Sequence, residues 1–180
     1  CRARTLWPSG ADAPEDDEAR GFDSIFDNPN FAGGELRYWQ RQAIRLFGAN
    51  LVNAKSIVPD LRSSKIQGQS NFVNPGLNLL NFGMDADVTP KIKIISNLNF
   101  LWFDSTEVLE TFTFQDFISS RIGTDISLGV EYRPLLNDNI QIIGGFAGFL
   151  PAEGFRNLYN AFNADAESLY ASFLEVILTF

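Results

Sequence analysis

The chain has no histidine, one cysteine and one methionine in 180 residues. Without histidine a Ser/His/Asp triad or a Cys/His pair cannot form, and the commonest general base and metal ligand is missing. The lone Cys1 can form neither an internal disulfide nor a thiolate metal cluster. No apolar run reaches the ~18 residues of a spanning helix, so no transmembrane helix is expected. Positive charge is also scarce, with 14 Lys and Arg against 22 Asp and Glu and a net charge of −8. That balance argues against a nucleic-acid partner, which needs a basic stripe to displace counterions. It argues against an electrostatic hold on anionic lipid as well. No glycine-rich phosphate loop occurs. Gly144, Gly145 and Gly148 sit inside an alternating segment, where a bend or close packing accounts for them.

What the chain has in quantity is phenylalanine, 17 residues against 4 Tyr and 3 Trp. Residues 1–20 are polar and acidic, with the run Glu15-Asp16-Asp17-Glu18, and read as a solvated loop. Residues 1–34 together read as a polar loop or N-terminal extension, and 35–180 as strands. The stretch ELRYWQRQAIRLF at 35–47 fits two periods: Leu36, Trp39, Ala43, Leu46 and Phe47 share a helical face, and alternate residues share a strand face. The strand reading is taken, because strand-like sequence follows. A long polar connection occupies 48–74.

From Asn78 the pattern is alternation. Leu80, Phe82, Met84, Ala86 and Val88 fall on one side, and Asn81, Gly83, Asp85 and Asp87 on the other. After Thr89-Pro90, Ile92, Ile94, Leu98, Phe100 and Trp102 oppose Lys91, Lys93, Asn97 and Asn99. Ile126, Leu128, Val130 and Tyr132 oppose Asp125, Ser127, Glu131 and Arg133. Two further segments carry Ile140, Ile142, Phe146 and Leu150, then Tyr170, Leu174, Val176, Leu178 and Phe180, on the apolar side. A period of two is the strand signature, and a helix would not segregate these residues. The segments run to about ten to thirteen residues, against about five or six in globular sheets.

Connections at 89–90 and 135–139 are tight, and those at 104–123 and 151–167 are long. In an antiparallel meander this puts every short turn at one end and every long loop at the other, the asymmetry of a bacterial outer-membrane barrel. Ten residues of a tilted strand cross the ~25 Å apolar band. Counted from the short-turn end, ten residues land on Trp102, Leu150 and Tyr170, with Tyr132 and Phe180 at the near end. Trp102, Tyr132, Tyr170 and Phe180 are therefore candidate membrane-interface anchors.

The terminal Val176-Ile-Leu-Thr-Phe180 resembles the C-terminal assembly signal of bacterial outer-membrane barrels, which the barrel-assembly machinery reads. More widely, RSSKIQGQSNFVNPGLNLLNFGMDADVTPKIKIISNLNFLWF with LGVEYRPLLNDN resembles the C-terminal part of large Gram-negative porin-like barrels, loosely of the alginate-export type. The likeness covers residues 22–180 and carries no catalytic or ligand residue with it. It implies an all-β, antiparallel transmembrane meander in the outer membrane, in contact with its lipid, that passes or docks polar solutes without catalysis or cofactor. A solute or a pore-filling partner protein is the implied lumen occupant.

Five or six strands fall short of the eight of the smallest bacterial barrels, and open edges are not tolerated in hydrocarbon. The chain is accordingly read as the end of a larger barrel. The candidate lumen residues are Asp85, Asp87, Lys91, Lys93, Asn97, Asn99, Asp125, Glu131, Arg133, Gln141 and Glu175. They would set ion preference or pair across strands, Lys91 and Lys93 with Asp85 and Asp87. Asp85 and Asp87 could also suggest a glycosidase pair, but a pore wall explains them more simply. Leu128→Arg is expected to block assembly and Ser127→Arg to be tolerated. The competing reading is a soluble periplasmic β-sandwich or β-barrel lipoprotein that binds a ligand and is anchored through Cys1. Within 155–162, Phe155, Leu158, Tyr159 and Phe162 fit a short amphipathic helix in a loop.

Overall fold

The computed structural model describes residues 1–13, 17–18, 20–21, 31–41, 45–46, 49–50, 74–136, 139–160 and 167–179. In chain order its elements are β1 (Arg2–Leu6), a 3-10 turn (Gly34–Leu36), α1 (Tyr38–Arg41), β2 (Arg45–Leu46), β3 (Ala49–Asn50) and β4 (Asn78–Thr89). They continue with β5 (Ile92–Trp102), α2 (Glu107–Thr113), β6 (Arg121–Tyr132), β7 (Ile140–Pro151), α3 (Glu153–Asn160) and β8 (Leu169–Leu178). The fold is all-β. One antiparallel six-stranded sheet, ordered β1-β4-β5-β6-β7-β8, is open at both edges. The short β2 and β3 pair separately.

The alternating segments form strands where the period of two predicts them. β4 begins at Asn78, and the turn at 90–91 and the connection after Tyr132, with its turn at 134–136, join neighbouring strands at one end. Those two turns are bonded to each other: the Arg133 N–H donates to the Lys91 carbonyl at 2.8 Å, and Lys91 Nζ donates to the Pro134 carbonyl at 2.8 Å. The long connections at the other end contain α2 and α3, and α3 is the helix expected within 155–162.

Two expectations are overturned. The 35–47 stretch is not a long strand: Gly34–Leu36 is a 3-10 turn, Tyr38–Arg41 is helical, and among its described residues only Arg45–Leu46 forms a strand. Its apolar residues fit both periods, and packing of Tyr38 and Trp39 against the sheet decides between them. Residues 1–20 are not wholly solvated loop either. Arg2–Leu6 pairs with β4, from Arg2 opposite Gly83 to Leu6 opposite Leu79. Five residues are too few for a clear period, and their partner lies far along the chain.

The apolar core sits on one face of the sheet at the long-loop end. Leu79, Leu101, Phe103 and Phe149 meet Val108 and Leu109 of α2 and Phe155 and Leu158 of α3 there, all 2% exposed or less. Glu110 Oε1 accepts from the Ile118 N–H at 2.9 Å, and Asn157 Oδ1 accepts from the Ser119 N–H at 3.3 Å. These bonds fix the two long loops to each other and to the strand ends. A Cβ on Gly154, in the first turn of α3, would meet the Ser119 carbonyl oxygen and the Arg121 carbonyl oxygen, the latter at 2.8 Å. Neither backbone atom can swing aside. Gly154→Ala is therefore expected to lower stability by about 1–3 kcal/mol, the range for overpacking, read as a shift of the urea midpoint. An unshifted midpoint would mean that α3 does not rest on β6 this closely.

The opposite face of the sheet is apolar and uncovered. Phe82, Met84, Val88, Ile126, Leu128, Val130, Phe146, Leu150, Leu174, Val176 and Leu178 are all 42–74% exposed. Buried in their place are the polar Asn81, Asn97, Asn99, Asp125, Ser127 and Glu131. A sheet with one face in water normally shows the reverse, apolar in and polar out.

Candidate functional site: the inner face of the sheet

The register arranges the inner face as rungs across the strands. Near the short turns, Asp87, Lys93, Glu131, Ile143 and Glu175 share one rung, and Asp85, Ile95, Gly129, Gly145 and Phe173 share the next. Gly83, Asn97, Ser127, Ala147 and Ala171 follow, with Arg2 added from β1. Beyond them lie Arg4, Asn81, Asn99, Asp125, Phe149 and Leu169, and lastly Leu6, Leu79, Leu101, Gly123 and Pro151. Polarity is graded along the strands, from charge at the short-turn end through amides to the apolar rung under the loop helices.

Nine of the expected lumen residues stand on this face: Asp85, Asp87, Lys93, Asn97, Asn99, Asp125, Glu131, Glu175 and, opposite Ile177 one rung further on, Gln141. Lys91 and Arg133 lie in the turn region instead. Asn97, Asn99, Asp125 and Glu131 are buried, at 3%, 0%, 0% and 8% exposure, so they do not line open water.

The cause is an inner segment, residues 31–41, laid against the middle rungs. Asp125 Oδ2 accepts the Trp39 backbone N–H at 2.8 Å. The Trp39 ring lies 6.0 Å from that of Phe149 and 6.5 Å from that of Phe155, and Tyr38 stacks on Phe149 at 5.8 Å. Leu36 sits over Gly129, where a Cβ would come 2.9 Å from its Cδ2, so the bare glycine lets the leucine approach the sheet closely. Arg37 is buried with the segment. Burial pushes its guanidinium down to about 10 against the opposing pull of Asp125, and it remains charged at neutral pH.

The amides form their own ladder. Asn81 Nδ2 donates to Asn99 Oδ1 at 2.7 Å and reaches Asn97 Oδ1 at 3.5 Å. Asn97 Nδ2, Asp125 Oδ1 and Ser127 Oγ have no hydrogen-bond partner among the described residues. Asp85 takes its ion pair from Arg2 at 2.6 Å, not from Lys91 or Lys93 across the turn. Glu131 pairs with Arg133 at 2.6 Å.

Below the inner segment lies a cavity of about 470 Å³, open on one side. Its lining includes Arg2 and Arg4 of β1 at one sheet edge and Phe173 and Glu175 of β8 at the other. Residues from both edges border a single space, which makes the inner face concave. Among the described residues no group of three His, Cys, Asp or Glu side chains could hold a metal ion.

Arg2, Arg4, Arg37, Trp39, Asn81 and Ser127 belong to this face and were absent from the expected set. Asn81 and Ser127 lie on the polar side of their alternations, so a period-two signal was present for these two, whereas Arg2 and Arg4 stand in a strand of five residues, too short to show one. None exists for Arg37 and Trp39, which reach the sheet through a turn. On the outer face, Trp102 and Tyr170 stand at the long-loop end, beside Phe100 (6.3 Å between rings) and Phe146 (6.2 Å), and Tyr132 stands at the short-turn end. Phe180 lies outside the described residues.

No protein-family model, no curated protein and no solved structure matches the chain.

Proposed function

We propose that the chain is a wall segment of a bacterial outer-membrane β-barrel whose concave face serves as a porin-like path or docking surface for polar solutes, without catalysis. One observation carries the reading: the apolar, uncovered face spans β4 to β8, while the polar side chains are on the concave side. Facing lipid, that outer surface is satisfied, and the alternation matches the apolar-out, polar-in rule of such barrels. Strands of 10 to 12 residues in β4–β8 suit the ~25 Å apolar band. Trp102 and Tyr170 at one end and Tyr132 at the other suit its two aromatic girdles. Closing the wall takes additional strands, since the smallest bacterial barrels have eight. The barrel-assembly machinery is the partner that the C-terminal strand β8 would meet.

A soluble periplasmic lipoprotein anchored through Cys1 would leave this contiguous apolar face in water, whereas soluble monomers rarely expose contiguous apolar patches beyond a few hundred Å². Partition tests the two readings. The purified chain, diluted out of urea, is expected to stay soluble only with detergent and to sediment with phospholipid vesicles through a urea wash. A chain that stays monomeric in detergent-free buffer and leaves vesicles on washing would refute the membrane reading.

A further inference from the structure

We infer that the cavity below the inner segment is a binding site for a small monocarboxylate with an apolar body, an inference that rests on the inner face being a solute path. Among the described residues the cavity is lined by three cations, Arg2, Arg4 and Lys93, against two carboxylates, Asp85 and Glu175. In a chain of net charge −8 this is a local excess of positive charge. Asp85 is already matched, because Arg2 Nη2 donates to it at 2.6 Å. Arg2 is spent on that pair, and its Nε is buried away from the cavity. Lys93 stands opposite Asp87 and Glu131 in register, yet it makes no ion pair among the described residues, and Glu131 is taken by Arg133. Arg4 places its guanidinium 5.6 Å from the centre of the Phe31 ring and keeps its charge unmatched by a carboxylate among the described residues. Donors and charge without a counterpart are what an anionic head group satisfies.

The rest of the lining fixes the remainder of the ligand. Leu36, Ile95, Ile143 and Phe173 form an apolar floor beside the cations, suited to an aromatic or branched aliphatic body. Glu175 borders the same space from β8, at the far edge of the sheet from Arg2 and Arg4. A second carboxylate extending that way would meet it, so the site discriminates against dicarboxylates. The volume of about 470 Å³ lies in the range of small-molecule sites.

The test uses the full chain folded in detergent micelles, titrated calorimetrically with benzoate, benzyl alcohol, benzylamine and terephthalate at low salt. Benzoate is expected to bind saturably and at least about tenfold more tightly than the other three, the range of one charge-assisted contact. Lys93→Gln should weaken benzoate about tenfold and leave benzyl alcohol unchanged, and Glu175→Gln should tighten benzoate and admit terephthalate. Benzoate binding no tighter than benzyl alcohol would overturn the inference. So would benzoate affinity unmoved by both substitutions, and the Glu175→Gln arm decides the matter even if Lys93→Gln fails to fold. A chain that enters vesicles but ignores benzoate refutes this site alone. One that binds benzoate but needs no detergent refutes the membrane reading alone.

Discussion

Leu128→Arg is expected to abolish recovery of the chain in a bilayer. Leu128 lies midway along β6, 54% exposed on the uncovered face and opposite Ser96 and Phe146 on neighbouring strands. Against lipid near the midplane, arginine costs about 2–4 kcal/mol, roughly a 30- to 800-fold loss in the assembled fraction. In water the same change replaces an exposed leucine with a soluble residue and is worth within about 0.5 kcal/mol either way. The two environments therefore give opposite results for one substitution. Sedimentation with vesicles, compared with wild type, reads it.

The matching inward control cannot be Ser127→Arg, although the alternation alone recommends it. Ser127 is 2% exposed, in a rung covered by the inner segment, so arginine there would clash for reasons unrelated to lipid. Glu175 is the suitable position, exposed on the inner side and adjacent to Leu174, which is 74% exposed on the outer side. Glu175→Lys should assemble like wild type, and Leu174→Arg should fail as Leu128→Arg does. Equal assembly of all three variants would refute the facing.

The second large effect is expected at Trp39. Its ring is 1% exposed between Phe149 and Phe155, and truncating a buried tryptophan to alanine costs about 3–5 kcal/mol. The loss also removes a large apolar contact of the inner segment, leaving the backbone N–H groups of Trp39 and Tyr38 on Asp125 and the Leu36 contact with Gly129 to hold it to β6. Trp39→Ala should lower the urea midpoint of the chain in micelles and open residues 31–41 to protease before the strands are cut. A loss under about 1 kcal/mol, with no earlier cleavage, would show that the segment is not held against the inner face. Trp39→Phe keeps most of the packed area and should recover much of the loss.

The strands were legible because alternation is a local property. Within β4, Phe82 and Met84 point one way and Asn81 and Asp85 the other whatever the rest of the chain does, since successive side chains of a strand alternate. The sidedness of the charged residues followed from the same rule, as did the short-turn and long-loop ends. The rungs did not follow from it. Asp85 meets Arg2, 83 positions away, and Asp125 meets Trp39, 86 positions away. Neither pairing leaves a trace in either stretch alone, because a carboxylate on a strand reads the same whether water, a lysine or a folded-back segment covers it.

The sequence by itself determined the strands, their two chemically distinct faces and the end at which the long loops gather, because each rests on spacing along a few residues. Only the tertiary structure decided what covers those faces. It laid residues 31–41 over the amide rungs and joined the N-terminal arginines to the edge of the sheet. It also left Lys93 and Glu175 beside a cavity, with the apolar surface outside uncovered. Coverage depends on contacts between segments that are distant in sequence, and local periodicity does not encode those contacts.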